Sequence, residues 1–78
     1  MKIPRDVSGD RLIRVLQKIR YSVVRQKGSH VRLEYPHPPI HGITVPLHSP
    51  LKVGTLQAIL AEVAEKRATT IEVLLNLL

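Results

Sequence analysis

The 78-residue chain has no cysteine, no tryptophan and no phenylalanine. Without cysteine, disulfides, thiolate zinc sites and thiol nucleophiles are excluded. Two tyrosines, Tyr21 and Tyr35, are too few for the rows of aromatics on which RRM- and OB-type readers stack bases. No apolar run approaches the ~20 residues of a membrane span. Met1-Lys2-Ile3-Pro4-Arg5 lacks the apolar core of a secretory signal. The expected location is the cytoplasm, with no membrane association. Glycines at 9, 28, 42 and 54 form neither G-x-G-x-x-G nor a Walker loop, which excludes a nucleotide loop of those kinds. This length suits a single domain, residues 1–78, whose small core removes roughly 60% of the surface an unfolded chain exposes.

Acidic residues are also scarce. Twelve Lys and Arg stand against six Asp and Glu, giving +6. The whole excess lies in the first 35 residues, where nine cations meet Asp6, Asp10 and Glu34. The remainder balances Lys52, Lys66 and Arg67 against Glu62, Glu65 and Glu72. A one-sided basic field is the footprint of a polyanion partner. The plainer alternative is a solvated basic surface that keeps a small protein soluble.

The hydrophobic period changes along the chain. Ser8 is a good N-cap with Asp10 in the following turn. Leu12, Val15, Leu16 and Ile19 follow helical spacing, with Arg11, Arg14 and Lys18 on the other face. Residues 21–26 are rich in β-formers, and 30–35 alternate strictly, with Val31, Leu33 and Tyr35 opposed to His30, Arg32 and Glu34. Residues 36–42 form a Pro/His loop. A third strand covers 43–47, with Pro46 placing it at a sheet edge. Leu56, Ile59, Leu60 and Val63 mark a helix over about 55–67, and Thr69-Thr70-Ile71-Glu72 has capping-box spacing for a last short helix. The expected fold class is α+β, in the order α-β-β-β-α. A three-stranded antiparallel sheet carries helices on one face, with a short C-terminal helix added.

The open sheet face should carry the chemistry. If Lys27-Gly28 is the hairpin loop, Arg25 faces His30; a three-residue loop would break that pairing. A cation beside an imidazole favours the neutral form able to take a proton. If Tyr35 lies opposite Ile43, His30 lies opposite His48, about 5 Å away at the β-carbons. Two imidazoles among cations suit metal-free RNA cleavage. One takes the 2′-hydroxyl proton, the other protonates the departing 5′-oxygen, and Arg or Lys meets the charge building on phosphorus. The Gly28-Ser29 turn adds backbone N–H donors as a small anion nest. The expected catalytic pair is His30 and His48. The expected RNA-binding set is Arg25, Lys27, Gly28, Ser29, Arg32 and Lys52.

Other readings compete. A strand histidine beside arginine is commonly just a surface residue, and Tyr21 and Tyr35 read as core. His37 and His41 have H-x3-H spacing with His48 downstream, but that loop has three prolines and no carboxylate. A closed structural metal site normally needs four ligands, so these imidazoles read as solvated, with no metal and no cofactor expected. A non-catalytic RNA-binding module of the same fold is the main alternative, and a basic face meeting an acidic protein is a third.

Three stretches, taken in order, resemble one known family. They are Val24-Arg25-Gln26-Lys27-Gly28-Ser29-His30, Thr44-Val45-Pro46-Leu47-His48 and Lys52-Val53-Gly54-Thr55-Leu56-Gln57-Ala58-Ile59-Leu60. The HicA (YcfA-like) toxin family shows an R-x-x-G-S-H turn, a V-P-x-H strand end and a G-T-L-x-x-I-L helix start. The resemblance spans roughly residues 6–75. It implies a double-stranded-RNA-binding-domain-like (dsRBD-like) fold, mRNA interferase activity and a HicB-type antitoxin as partner. It places the family's catalytic histidine on His30. One departure is Arg20, where family members usually carry glycine before the aromatic that opens the first strand.

Overall fold

A computed structural model describes residues 2–78. Helix α1 spans Gly9–Lys18 and begins where Ser8 Oγ accepts the Arg11 N–H at 3.1 Å. Asp10 in its first turn and Lys18 in its last suit the two ends of the helix dipole. Strands β1 (Ser22–Lys27), β2 (His30–Tyr35) and β3 (His41–Pro46) follow, then α2 (Val53–Lys66) and α3 (Ile71–Leu75). The strands pair antiparallel in the order β1-β2-β3, and the helices cover one face. The α+β, α-β-β-β-α architecture with a short terminal helix is thus the observed one.

Both long helices end in the same way. After α1, Arg20 N–H donates to the Gln17 carbonyl and Tyr21 N–H to the Leu16 carbonyl; after α2, Ala68 and Thr69 repeat the pattern onto Glu65 and Ala64. This is the Schellman arrangement, whose turning residue takes a positive φ and is usually glycine. Here Arg20 (φ 77°) and Ala68 (φ 52°) take it instead. Arg20 therefore adopts the backbone conformation of the glycine usual at this place, at a steric cost glycine would not bear.

Leu12, Leu16, Leu33, Val45, Leu56, Leu60, Val63 and Leu74 are fully enclosed between sheet and helices. Each such side chain contributes roughly 1.5–3 kcal/mol by leaving water. Gly9 ties α1 to the end of β3. Its N–H donates to the His48 carbonyl at 2.9 Å, and a β-carbon there would run into the Pro46 carbonyl oxygen. Among the described residues no helix is long and apolar enough to cross a membrane.

Several element boundaries differ from the sequence pattern, β1 by one residue at each end and β3 and α2 by one at their C-terminal ends. Strand β3 starts at His41 rather than Ile43, because the Pro/His segment re-enters the sheet two residues early. Helix α2 starts at Val53, with Lys52 at its N-cap. The cap of α3 is Thr70, whose hydroxyl accepts the Val73 N–H at 3.2 Å, rather than Thr69 with Glu72.

Candidate active site

The β1–β2 hairpin turns on Gly28-Ser29, not Lys27-Gly28. Gly28 has φ 59°, a conformation glycine takes without a steric penalty, at the first central position of a two-residue turn. The register is therefore displaced from the expected one. Lys27 pairs with His30 and Arg25 with Arg32, and an irregularity at Val24 separates them from Val23, which pairs with Leu33. The cation directly across from His30 is Lys27, not Arg25.

The β2–β3 register also differs. Tyr35 pairs with His41 and His30 with Pro46, so the expected opposition of His30 and His48 is not formed. The displacement is two residues and follows from the early start of β3. His48 lies exposed beyond the strand end, beside Ser8, Asp10, Leu47 and Ser49. Lys52, exposed at the α2 N-cap, likewise lies outside the grouping around His30.

That grouping is compact. Arg25, Lys27, His30, Arg32 and Thr44 line one depression of about 550 Å³ on the open face. Strand alternation accounts for it: the outward set on β1, β2 and β3 comes together as the rows Arg25–Arg32–Thr44 and Lys27–His30–Pro46. His30 is exposed. Arg32 donates to Thr44 Oγ1 at 3.2 Å. Gly28 and Ser29 flank the depression as the turn that joins its two cationic strands. Ser29 also gives its carbonyl to Leu47 N–H, extending the ladder past β3. Arg25 directly opposite Arg32 is a like-charge pair, which weakens a sheet. Among the described residues no carboxylate lies within 4 Å of Arg25, Lys27 or Arg32. Two guanidinium groups and one ammonium thus line the same depression as an exposed imidazole. A further depression of about 620 Å³, between the N-terminal segment and α3, contains no imidazole.

A second histidine was misplaced by the sequence pattern. His41 is not a solvated loop residue but the first residue of β3, turned inward and only 8% exposed. Its Nδ1 and the Tyr21 hydroxyl are 2.6 Å apart, and its Nε2 lies 2.7 Å from Glu62 Oε2. Both ring nitrogens are therefore occupied, and burial without loss of hydrogen bonds is possible. Burial pushes the Tyr21 phenol above its ordinary pKa, against the opposing pull of the Arg67 guanidinium. Arg67 itself stacks on Tyr35, 3.5 Å from the ring centroid. His37 stays exposed, its ring in a T-shaped contact with Tyr35. Thr44 was recognisable as outward-facing by parity alone; the Tyr21–His41–Glu62 chain needs an imidazole from a loop-like segment and a carboxylate from a helix, which no local pattern connects.

A family model described as HicA toxin of bacterial toxin-antitoxin matches residues 9–64. That span covers α1, all three strands and most of α2. No curated protein and no solved structure matches the chain.

Proposed function

Because this chain belongs to the HicA family of toxins from bacterial toxin–antitoxin systems, we propose that it is a metal-independent endoribonuclease, an mRNA interferase, with His30 as general base. The observation that carries the reading is the exposed His30 imidazole in one depression with Arg25, Lys27 and Arg32, none of them paired to a carboxylate among the described residues.

The chemistry follows from that grouping. His30 takes the proton of a ribose 2′-hydroxyl as the 2′-oxygen attacks the adjacent phosphorus. Arg25, Lys27 and Arg32 hold the phosphate and meet the charge that builds on its oxygens. The P–O5′ bond breaks, and the departing oxygen takes a proton from water, which this open face admits. The products are a 2′,3′-cyclic phosphate and a 5′-hydroxyl. DNA, with no 2′-hydroxyl, offers nothing for His30 to deprotonate. With Pro46 opposite His30, strand pairing supplies no second imidazole, and this mechanism uses none from His48. Gly28 and Ser29 shape the rim of the phosphate site, and Lys52 would contact RNA only beyond it.

The same reading gives the protein a cytoplasmic messenger RNA as substrate and a HicB-type antitoxin as partner, which silences it by covering the His30 face. The test is incubation of a defined RNA with wild type and His30→Ala in EDTA. Wild type should cut and leave 2′,3′-cyclic ends; His30→Ala should bind RNA and lose cleavage by about 10²-fold or more. Full activity in His30→Ala ends the reading. RNA binding with no scission by wild type favours the non-catalytic module instead.

A further inference from the structure

We propose that Gly42 and Thr44 are positioning residues that hold the Arg32 guanidinium laid across β3, ready for the phosphate. The proposal rests on the reading of the His30 face as the active site and adds to it a device that pre-sets one cation.

Gly42 lies inside β3, paired with Glu34. Its φ is not in the left-handed region, which among the glycines only Gly28 enters. The backbone therefore makes no demand for glycine there, and glycine inside a strand weakens it. What uses the missing side chain is Arg32. A β-carbon on Gly42 would stand 2.8 Å from Arg32 Cζ and 3.1 Å from Nε, and would collide with Nη2.

Thr44 supplies the second restraint. It pairs directly with Arg32 across the sheet, and its hydroxyl accepts from Nη1 at 3.2 Å. The guanidinium thus rests over Gly42 on one side and is bonded to Thr44 on the other. Only one of its five donors is spent on Thr44, and no carboxylate within 4 Å claims the rest among the described residues. Arg32 and Thr44 line the same depression as His30. An arginine free to swing loses rotamer freedom when it grips an anion; one already laid down loses less, and acts with little rearrangement as charge develops.

The experiment is single-turnover cleavage of a defined single-stranded RNA by the full chain. Wild type, Gly42→Ala, Thr44→Val, Arg32→Ala, the two double variants carrying Arg32→Ala, and His30→Ala are compared. A 2′-O-methylated copy of the RNA measures binding alone. Gly42→Ala should cut about 10- to 100-fold more slowly, the order expected when a catalytic group is displaced by about an ångström. The loss should fall on the cleavage rate, with binding of the methylated RNA changed less than threefold, an order-of-magnitude allowance for retained ground-state contacts. Thr44→Val should lose in the same sense, and neither change should slow Arg32→Ala further. The melting temperature of Gly42→Ala should hold or rise, since alanine suits a strand interior better than glycine. Wild-type cleavage by Gly42→Ala, or an equal loss in the Arg32→Ala background, overturns the proposal. If Gly42→Ala does not fold, Thr44→Val decides by the same criteria. Full cleavage by His30→Ala overturns the active-site reading itself, and is distinguishable because it is read from that variant alone.

Discussion

Lys27 stands directly opposite His30 across the β1–β2 hairpin, with only Gly28 and Ser29 between them in the chain. A single tight turn therefore sets a lysine across from the histidine, and both side chains line the same depression. The next outward row sets Arg25 against Arg32. The open face of the sheet thus carries two successive rows that each hold cationic side chains.

The Arg25–Arg32 opposition yields the first prediction. Arg25→Thr replaces a like-charge pair with a β-former and should raise stability by a few tenths to about 1 kcal/mol. It should also weaken RNA binding, and lower the slope of log affinity against log salt by about 0.7 for single-stranded RNA. Chemical denaturation and binding at several salt concentrations check both halves. An unchanged salt slope would remove Arg25 from the phosphate contacts.

The two strand histidines should separate cleanly on mutation. His41→Ala deletes a buried ring and strands the Tyr21 hydroxyl, costing about 2–3 kcal/mol. For a chain of this size that lowers the melting temperature by roughly 10 °C or more. His30→Ala touches no buried contact and should leave melting unchanged while abolishing cleavage. Thermal unfolding of the pair checks this; equal destabilisation by both would contradict the assigned faces.

Tyr21 sets a pH limit. Burial raises its pKa above the ordinary value of 10.0, so the folded protein keeps this proton to higher pH than the unfolded chain does. Below pH 10 both states are protonated, and the contribution of Tyr21 is intact. As pH rises through 10 and toward the folded value, the unfolded chain ionises first and stability falls. Tyr21→Phe should show a shallower decline of unfolding free energy between pH 9 and 11. Parallel declines would show that the phenol is not the group responsible.

Arg20→Gly should stabilise the protein. The residue sits at φ 77°, where a side chain costs roughly 1–2 kcal/mol relative to right-handed backbone, partly offset by the greater freedom glycine has when unfolded. The expected net gain is about 0.5–1 kcal/mol, or a few degrees in melting temperature. Ala68→Gly, at φ 52° after α2, should act in the same direction. A drop in melting temperature for Arg20→Gly would mean that the arginine side chain outweighs its backbone strain.

By itself the sequence determined which residues share a face. Alternation in 30–35 sorted His30, Arg32 and Glu34 away from Val31, Leu33 and Tyr35, and helical spacing picked out Leu12, Leu16, Leu56 and Leu60. The four leucines are fully buried as that periodicity requires, and Val31 and Leu33 are buried with them, while Tyr35 is only partly covered. The ordered motifs pointed to the family, and the charge asymmetry pointed to a polyanion. Tertiary structure alone decided which outward residues are neighbours. Side-chain direction repeats every two residues, so the two-residue displacement of β3 kept Thr44 and Pro46 in outward parity while putting Pro46, not His48, opposite His30. Loop and turn geometry sets that displacement, and His41 anchors it by finding Tyr21 and Glu62, residues 20 and 21 positions away. A bond between residues so far apart in the chain leaves no trace in any local pattern.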